Sequence, residues 1–275
     1  MLPPVTFDLH SVRFHFIARD PIAFPPERAG NILRGALGLA FLRNGCKALF
    51  EPASLSSSPS GLADRPRQFV IRARHLSGRI VQPAQQFSFD VHLFDAAHPP
   101  VKQFRQAFAD IAAQGFGPLR GKADLVSVEQ SPVTIPLESA SRVSRLRVEF
   151  VSPTELKSRD EIAAKPEFSV LFARARDRVS SLRALYGAGP LEIDFRGFGE
   201  RSGAVRLARC EVQQVEVTRR SSRTGQRHGI GGFVGAAEYE GDLGEFLPIL
   251  QAARWTGVGR HCSWGNGEIH TEVIL

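Results

Sequence analysis

The sequence predicts an α+β fold of tandem ferredoxin-like βαββαβ units, the topology that RNA-recognition (RRM) domains share. Two observations carry that expectation. Apolar residues alternate with period two in some segments and recur at helical spacing in others, and the order strand, helix, strand, strand, helix, strand occurs twice along 275 residues. The two halves show no clear sequence self-similarity, so the repeat is one of element order.

In the first half, Val5–Ala18 reads as a long strand. Val5, Phe7 and Leu9 take one parity and Val12, Phe14 and Phe16 the other, and the slip at His10-Ser11 predicts a bulge. Pro25-Pro26-Glu27 opens a helix carried by Ile32, Leu33, Ala36, Leu37, Ala40 and Phe41, which Asn44-Gly45 ends. Ala53–Arg67, rich in Ser, Pro and Gly, reads as a flexible loop. Strands at Gln68–Arg72 and Phe87–Phe94 follow, then a helix over Pro99–Gln114, a turn-rich GFGPLRGK loop at Gly115–Lys122, and a strand at Ala123–Val128.

The second half opens with a strand on Leu146, Val148 and Phe150, which Ser152-Pro153 is expected to terminate. Pro166–Tyr186 is a helix with an apolar face from Phe168 to Leu185, while Arg174, Arg178 and Arg183 occupy other faces. Leu191–Phe195 reads as an extended lead-in to a long strand, Ala204–Thr218. The polar turn Arg219–Arg227 joins it to Ile230–Tyr239, making a hairpin over 204–239. Asp242 is expected to cap a short helix through Ala253, and after a glycine-rich loop over 255–268 the last strand is Glu268–Ile274. The expected domains are 1–135 and 136–275. In each, both helices cover one sheet face and leave the other free.

Composition narrows the function classes. With 43% hydrophobic residues and 20 Phe there is ample core, and no run reaches the ~18 apolar residues that cross a bilayer. The N-terminal residues lack a signal-peptide pattern, so cytoplasm is the expected compartment. Three cysteines, at 46, 210 and 262, form no CxxC pair, and eight histidines show no HxxxH or HExxH spacing, so no metal and no cofactor are expected. GxSxG and Walker-type patterns are missing too. A net charge of +7 and a pI near 9.9 favour an anionic partner.

Two motifs focus that charge. Arg219, Arg220, Arg223 and Arg227 crowd one predicted turn beside His228, where guanidinium forks would meet phosphates, although a solvated hairpin tip is also commonly basic. Trp255–Glu268, WTGVGRHCSWGNGE, places Gly257, Gly259, Gly265 and Gly267 around Arg260, so that backbone N–H groups can face phosphate; the bland reading is a tight structural loop. Gly115–Lys122, with Arg120 and Lys122, holds the equivalent place in the first half.

Arg220–His228, Gly231-Gly232-Phe233-Val234-Gly235, Tyr239–Asp242 and Trp255–Ile269 together resemble the C-terminal domain of CRISPR repeat-RNA-processing endoribonucleases of the RAMP superfamily. Leu33–Gly38, Leu49–Pro52 and Phe87–Phe94 extend the likeness toward the start. The resemblance implies an RNA repeat bound across a cleft and beside the second-domain hairpin. It implies cleavage without metal, in which the ribose 2′-OH attacks the adjacent phosphate and leaves a 2′,3′-cyclic phosphate and a 5′-OH. Many relatives carry a histidine on or just after the first helix, whereas Ala29–Lys47 has none. Some relatives use lysine and arginine instead, which makes Arg34, Arg43 and Lys47 candidates; His15 and His228 are the candidates for proton transfer. The competing classes are a non-catalytic RNA-binding RAMP subunit, partnered by other CRISPR effector subunits, and a ferredoxin-like small-molecule enzyme.

Overall fold

The computed structural model describes residues 5–53, 65–138, 142–158, 161–220 and 227–274. In the first half, strands β1 (Thr6–Ala18), β2 (Phe69–Arg72), β3 (Gln86–Leu93) and β4 (Ala123–Pro136) form an antiparallel sheet in the order β2-β3-β1-β4. Helices α1 (Ala29–Arg43) and α2 (Val101–Gln114) lie between them in sequence and pack on one face of it. In the second half, β5 (Arg145–Thr154), β6 (Arg206–Val215), β7 (Gly232–Glu240) and β8 (Ile269–Val273) take the order β6-β7-β5-β8, with α3 (Phe168–Tyr186) and α5 (Leu247–Thr256) packed on it. Counted within each half, both orders are 2-3-1-4, so each half is a ferredoxin-like unit.

The parity slip in β1 has a different origin from the expected bulge. Pairing with both neighbours runs unbroken through His10 and Ser11, and the register shifts only between His15 and Phe16, opposite Leu125–Ser127 on β4. With strict alternation maintained, Phe7 and Leu9 point to one face and Val12, Phe14 and Phe16 to the other. Val12, Phe14 and Phe16 join Leu33, Leu37, Phe41, Phe104 and Phe108 in the first core, where Phe14 and Phe108 ring centroids are 4.8 Å apart. Phe7 and Leu9, with Val70, Phe94 and Ile135, enter the second core beside Leu171, Val179 and Leu250. One strand thus serves two cores. The first sheet's second face is accordingly not free along its length: the second half covers one end, and Arg13, Asp90, His15 and Glu129 occupy it further along.

Four further differences have local causes. β4 runs to Pro136 because it is an edge strand, where Pro132 and Pro136 cost no ladder bond and exposure erases the apolar alternation. β5 likewise continues through Pro153, whose carbonyl accepts from Gly267 N at 3.0 Å. A short helix α4 (Phe195–Ser202) was unexpected, since Gly197 and Gly199 weaken its helical signal; Asp194 caps it, accepting from Gly197 N at 2.9 Å. Asp242 caps nothing, because α5 begins five residues later at Leu247 with Pro248 in its first turn. The loop expected over 53–67 lies outside the described residues from 54 to 64.

Candidate functional site

The C-terminal end of α5 sits where the two halves meet. Its last carbonyls lack intrahelical donors, as at every helix end, and three side chains from other elements take them. Arg72 of β2 donates from Nη2 to the Arg254 carbonyl at 3.0 Å, His92 of β3 from Nδ1 to the Trp255 carbonyl at 2.9 Å, and Arg178 of α3 from Nε to the Thr256 carbonyl at 2.8 Å. Cationic groups there also complement the helix dipole. Burial lowers the Arg72 guanidinium, with Glu268 3.8 Å away opposing the shift. Burial, reinforced by the Arg72 charge, pushes His92 down to about 3, so it stands neutral against the Trp255 ring.

The glycine-rich loop continues from this anchored end and lies against the first half. A Cβ on Gly30, in the first turn of α1, would come within 2.2 Å of the Trp264 carbonyl, so only glycine admits the loop there. The Arg34 guanidinium lies 4.0 Å from the Trp264 ring centroid and 4.5 Å from that of Phe50, a cation held between two π-faces. Within the loop, Gly257, Gly259, Gly265 and Gly267 all have positive φ. Gly259 shows what this serves: a Cβ would meet the Glu155 carbonyl at 2.3 Å. The glycines let the loop close on its own backbone and on neighbouring strands.

Beside the loop runs a groove of about 390 Å³, lined by Arg65, Arg67, Arg178, Arg260, His261 and Trp264 among others. A hollow of about 240 Å³ shares Pro66, Arg178, Gly259 and Arg260 with it and adds Lys157, Arg174 and Asp177. Asp177, the acid in the lining, is held by Arg176 at 2.8 Å, and although Arg260 pairs with Glu155, Arg65, Arg67, Lys157, Arg174 and Arg178 leave the lining cationic. Two of its donors, Arg174 Nε and Arg178 Nη2, are buried without a hydrogen-bond partner among the described residues. A buried N–H left unpaired costs about 1–3 kcal/mol, and an anion entering the groove would satisfy it.

The expected site residues distribute unevenly around this groove. Arg260 and Gly259 line it. Arg34, 5% exposed, lies beneath the loop rather than in the groove. Lys47 is exposed at the far end of α1 and pairs with Glu51 at 3.6 Å, and Arg43 Nη1 donates to Gln114 Oε1 at 2.5 Å. His15 is on β1, on the sheet face away from α1, with Nε2 3.2 Å from a Glu129 carboxylate oxygen. Arg120 and Lys122 are exposed around a turn closed by pairing of Phe116 with Gly121, and neither lines the groove. Arg219 pairs with His228 and Arg220 with Arg227 in a backbone ribbon of Thr218–Arg220 against Arg227–Gly229, while Arg223 lies outside the described residues.

Arg65, Arg67, Lys157, Arg174, Arg178 and His261 were not singled out by the sequence. Arg174 and Arg178 had a readable signal, because a spacing of four puts them on one helix face. Arg65 and Arg67 follow a loop with no periodicity, so nothing local marks them.

Two ferredoxin-like units joined at an anchored helix end, with a cationic groove beside a glycine-rich loop, define the class of fold: a tandem ferredoxin-like α+β protein whose groove presents positive charge. Residues 148–269 match the family model described as CRISPR-associated endoribonuclease Cas6, and residues 7–146 match a second model described as an N-terminal domain. Its second half is thus similar to the Cas6 family of CRISPR-associated endoribonucleases. No curated protein matches the sequence. Among solved structures, a Cas6 product complex aligns with TM-score 0.61 at 15% identity, covering 97% of this chain and 99% of the other. Thermus thermophilus Cas6 aligns with TM-score 0.59 at 12% identity, over 98% and 100% of the two chains. A partial Cas6-RT-Cas1–Cas2 complex aligns with TM-score 0.65 at 11% identity over all of this chain and 47% of the other.

Proposed function

We propose that the protein binds CRISPR repeat RNA in the groove between its halves and cuts it by attack of a ribose 2′-OH on the adjacent phosphate, leaving a 2′,3′-cyclic phosphate and a 5′-OH. No metal or organic cofactor takes part. The observation that carries the reading is the groove: six basic residues, Arg65, Arg67, Lys157, Arg174, Arg178 and Arg260, against one already paired acid, with buried guanidinium donors awaiting acceptors. Guanidinium groups match phosphate in charge and in fork geometry, and positioned cations stabilise the pentacoordinate phosphate as negative charge builds on it. The arginine-rich ribbon of the second half extends the contact along the RNA. Residues 1–135 and 136–275 act in this reading as two units that grip one strand in the cytoplasm, where other CRISPR effector subunits receive the product.

A second reading, a non-catalytic RNA-binding subunit, is favoured by the burial of Arg34 beneath the loop, which takes that guanidinium out of the groove, and by the lack of a histidine in Ala29–Lys47. Incubation of the purified protein with labelled repeat RNA in EDTA decides between them. Cleavage to products ending in a 2′,3′-cyclic phosphate is the expected result. Intact RNA under tight binding establishes the second reading instead.

A further inference from the structure

We infer that His261, in the glycine-rich loop, is the group that takes the 2′-hydroxyl proton, an inference that rests on the cleavage reading above. Transfer of phosphate to a neighbouring hydroxyl needs a proton acceptor that works near neutral pH, within reach of the cations that hold the phosphate. Imidazole is the side chain suited to it. Among the histidines whose side chains the structure describes, His261 lines the groove with Arg65, Arg67, Arg178 and Arg260. His15 faces Glu129 on the first sheet, and His92 is buried and neutral against Trp255.

The backbone of His261 points the same way. It adopts φ 61 and ψ 20, a left-handed conformation uncommon outside glycine though histidine is among the residues that tolerate it. Such conformations persist only where the surroundings over-determine them, and they cluster at functional positions. Here Trp264 N donates to the His261 carbonyl at 2.9 Å, and the imidazole stands edge-on to the Trp264 ring with centroids 5.8 Å apart. The Arg34 guanidinium over Trp264 completes the support, so Arg34 acts as a positioning residue through that ring.

In the proposed step a ring nitrogen of His261 accepts the proton of the 2′-hydroxyl as the O2′–phosphorus bond forms. The phosphorus–O5′ bond breaks, and the departing 5′ oxygen takes a proton from water. The imidazolium then returns its proton to solvent, so protons balance and no electrons change hands.

The test uses His261→Asn and His261→Gly, since both residues tolerate positive φ and preserve the loop conformation. Single-turnover cleavage of repeat RNA is expected to fall about 100-fold or more. RNA affinity and melting temperature should stay at wild-type level, and added imidazole should restore cleavage by the glycine variant. Variants that cut at the wild-type rate, that lose cleavage only in step with binding, or that gain nothing from imidazole overturn the assignment. Wild-type protein that binds repeat RNA without cutting it overturns the cleavage reading and His261 together. Wild type that cuts alongside a variant that cuts equally removes the histidine alone.

Discussion

Arg174 and Arg178 each keep a buried donor without an acceptor among the described residues, in a groove already rich in positive charge. Truncating both to alanine is expected to weaken repeat-RNA binding by about 1–3 kcal/mol, the scale of lost charge-assisted contacts, as measured by titration of labelled RNA. Arg178 also holds the Thr256 carbonyl, so a melting curve of the same variant separates lost binding from lost fold. Arg220→Ala with Arg223→Ala is expected to cost a similar 1–3 kcal/mol, roughly, through the ribbon. Unchanged affinity would remove the ribbon from the interface. Neither the groove nor the ribbon rests on one residue, which suits a ligand with regularly repeated charge.

The end of α5 is the element on which the join between the halves depends. His92 is neutral there, with its pKa lowered to about 3 from 6.5. In the unfolded chain it takes up a proton below about pH 6.5, and the folded state does not follow until near pH 3. The unfolded state therefore binds more protons between those values. The contribution of His92 to stability is complete above about pH 6.5 and declines by up to about 1.4 kcal/mol per pH unit as pH falls below it. Thermal melts from pH 7.5 to 5 should show this decline, and His92→Gln should flatten it. An identical slope in the variant would show that other groups govern the acid side. Most elements around this point were legible beforehand, because their apolar residues repeat with the period of the backbone. α4 and the extensions of β4 and β5 were not, because glycine, proline and edge exposure mask that period.

For the whole molecule, β1 ties the two cores together. Phe7 and Leu9 are buried in the second core and Val12, Phe14 and Phe16 in the first, all on one uninterrupted strand. Phe7→Ala should cost about 3–5 kcal/mol, as large-to-small substitutions in cores do, and lower a single unfolding transition. Two separated transitions, with only the second half destabilised, would show that the halves unfold apart. RNA affinity should fall steeply between low and physiological salt, since each phosphate contact releases counterions. A flat salt dependence would argue for a small-molecule enzyme in place of an RNA-binding protein.

By itself the sequence determined that the chain is α+β, that βαββαβ occurs twice, that it is basic, and that its end resembles CRISPR repeat-RNA endoribonucleases. Those properties are written in local spacing and composition, which act over a few residues. Only the tertiary structure decided that the slip in β1 is a change of core, and that Arg65, Arg67, Arg174, Arg178, Arg260 and His261 share one groove. Residues up to 196 positions apart meet there because the end of α5 is held by side chains from β2, β3 and α3, and no local pattern records such a contact.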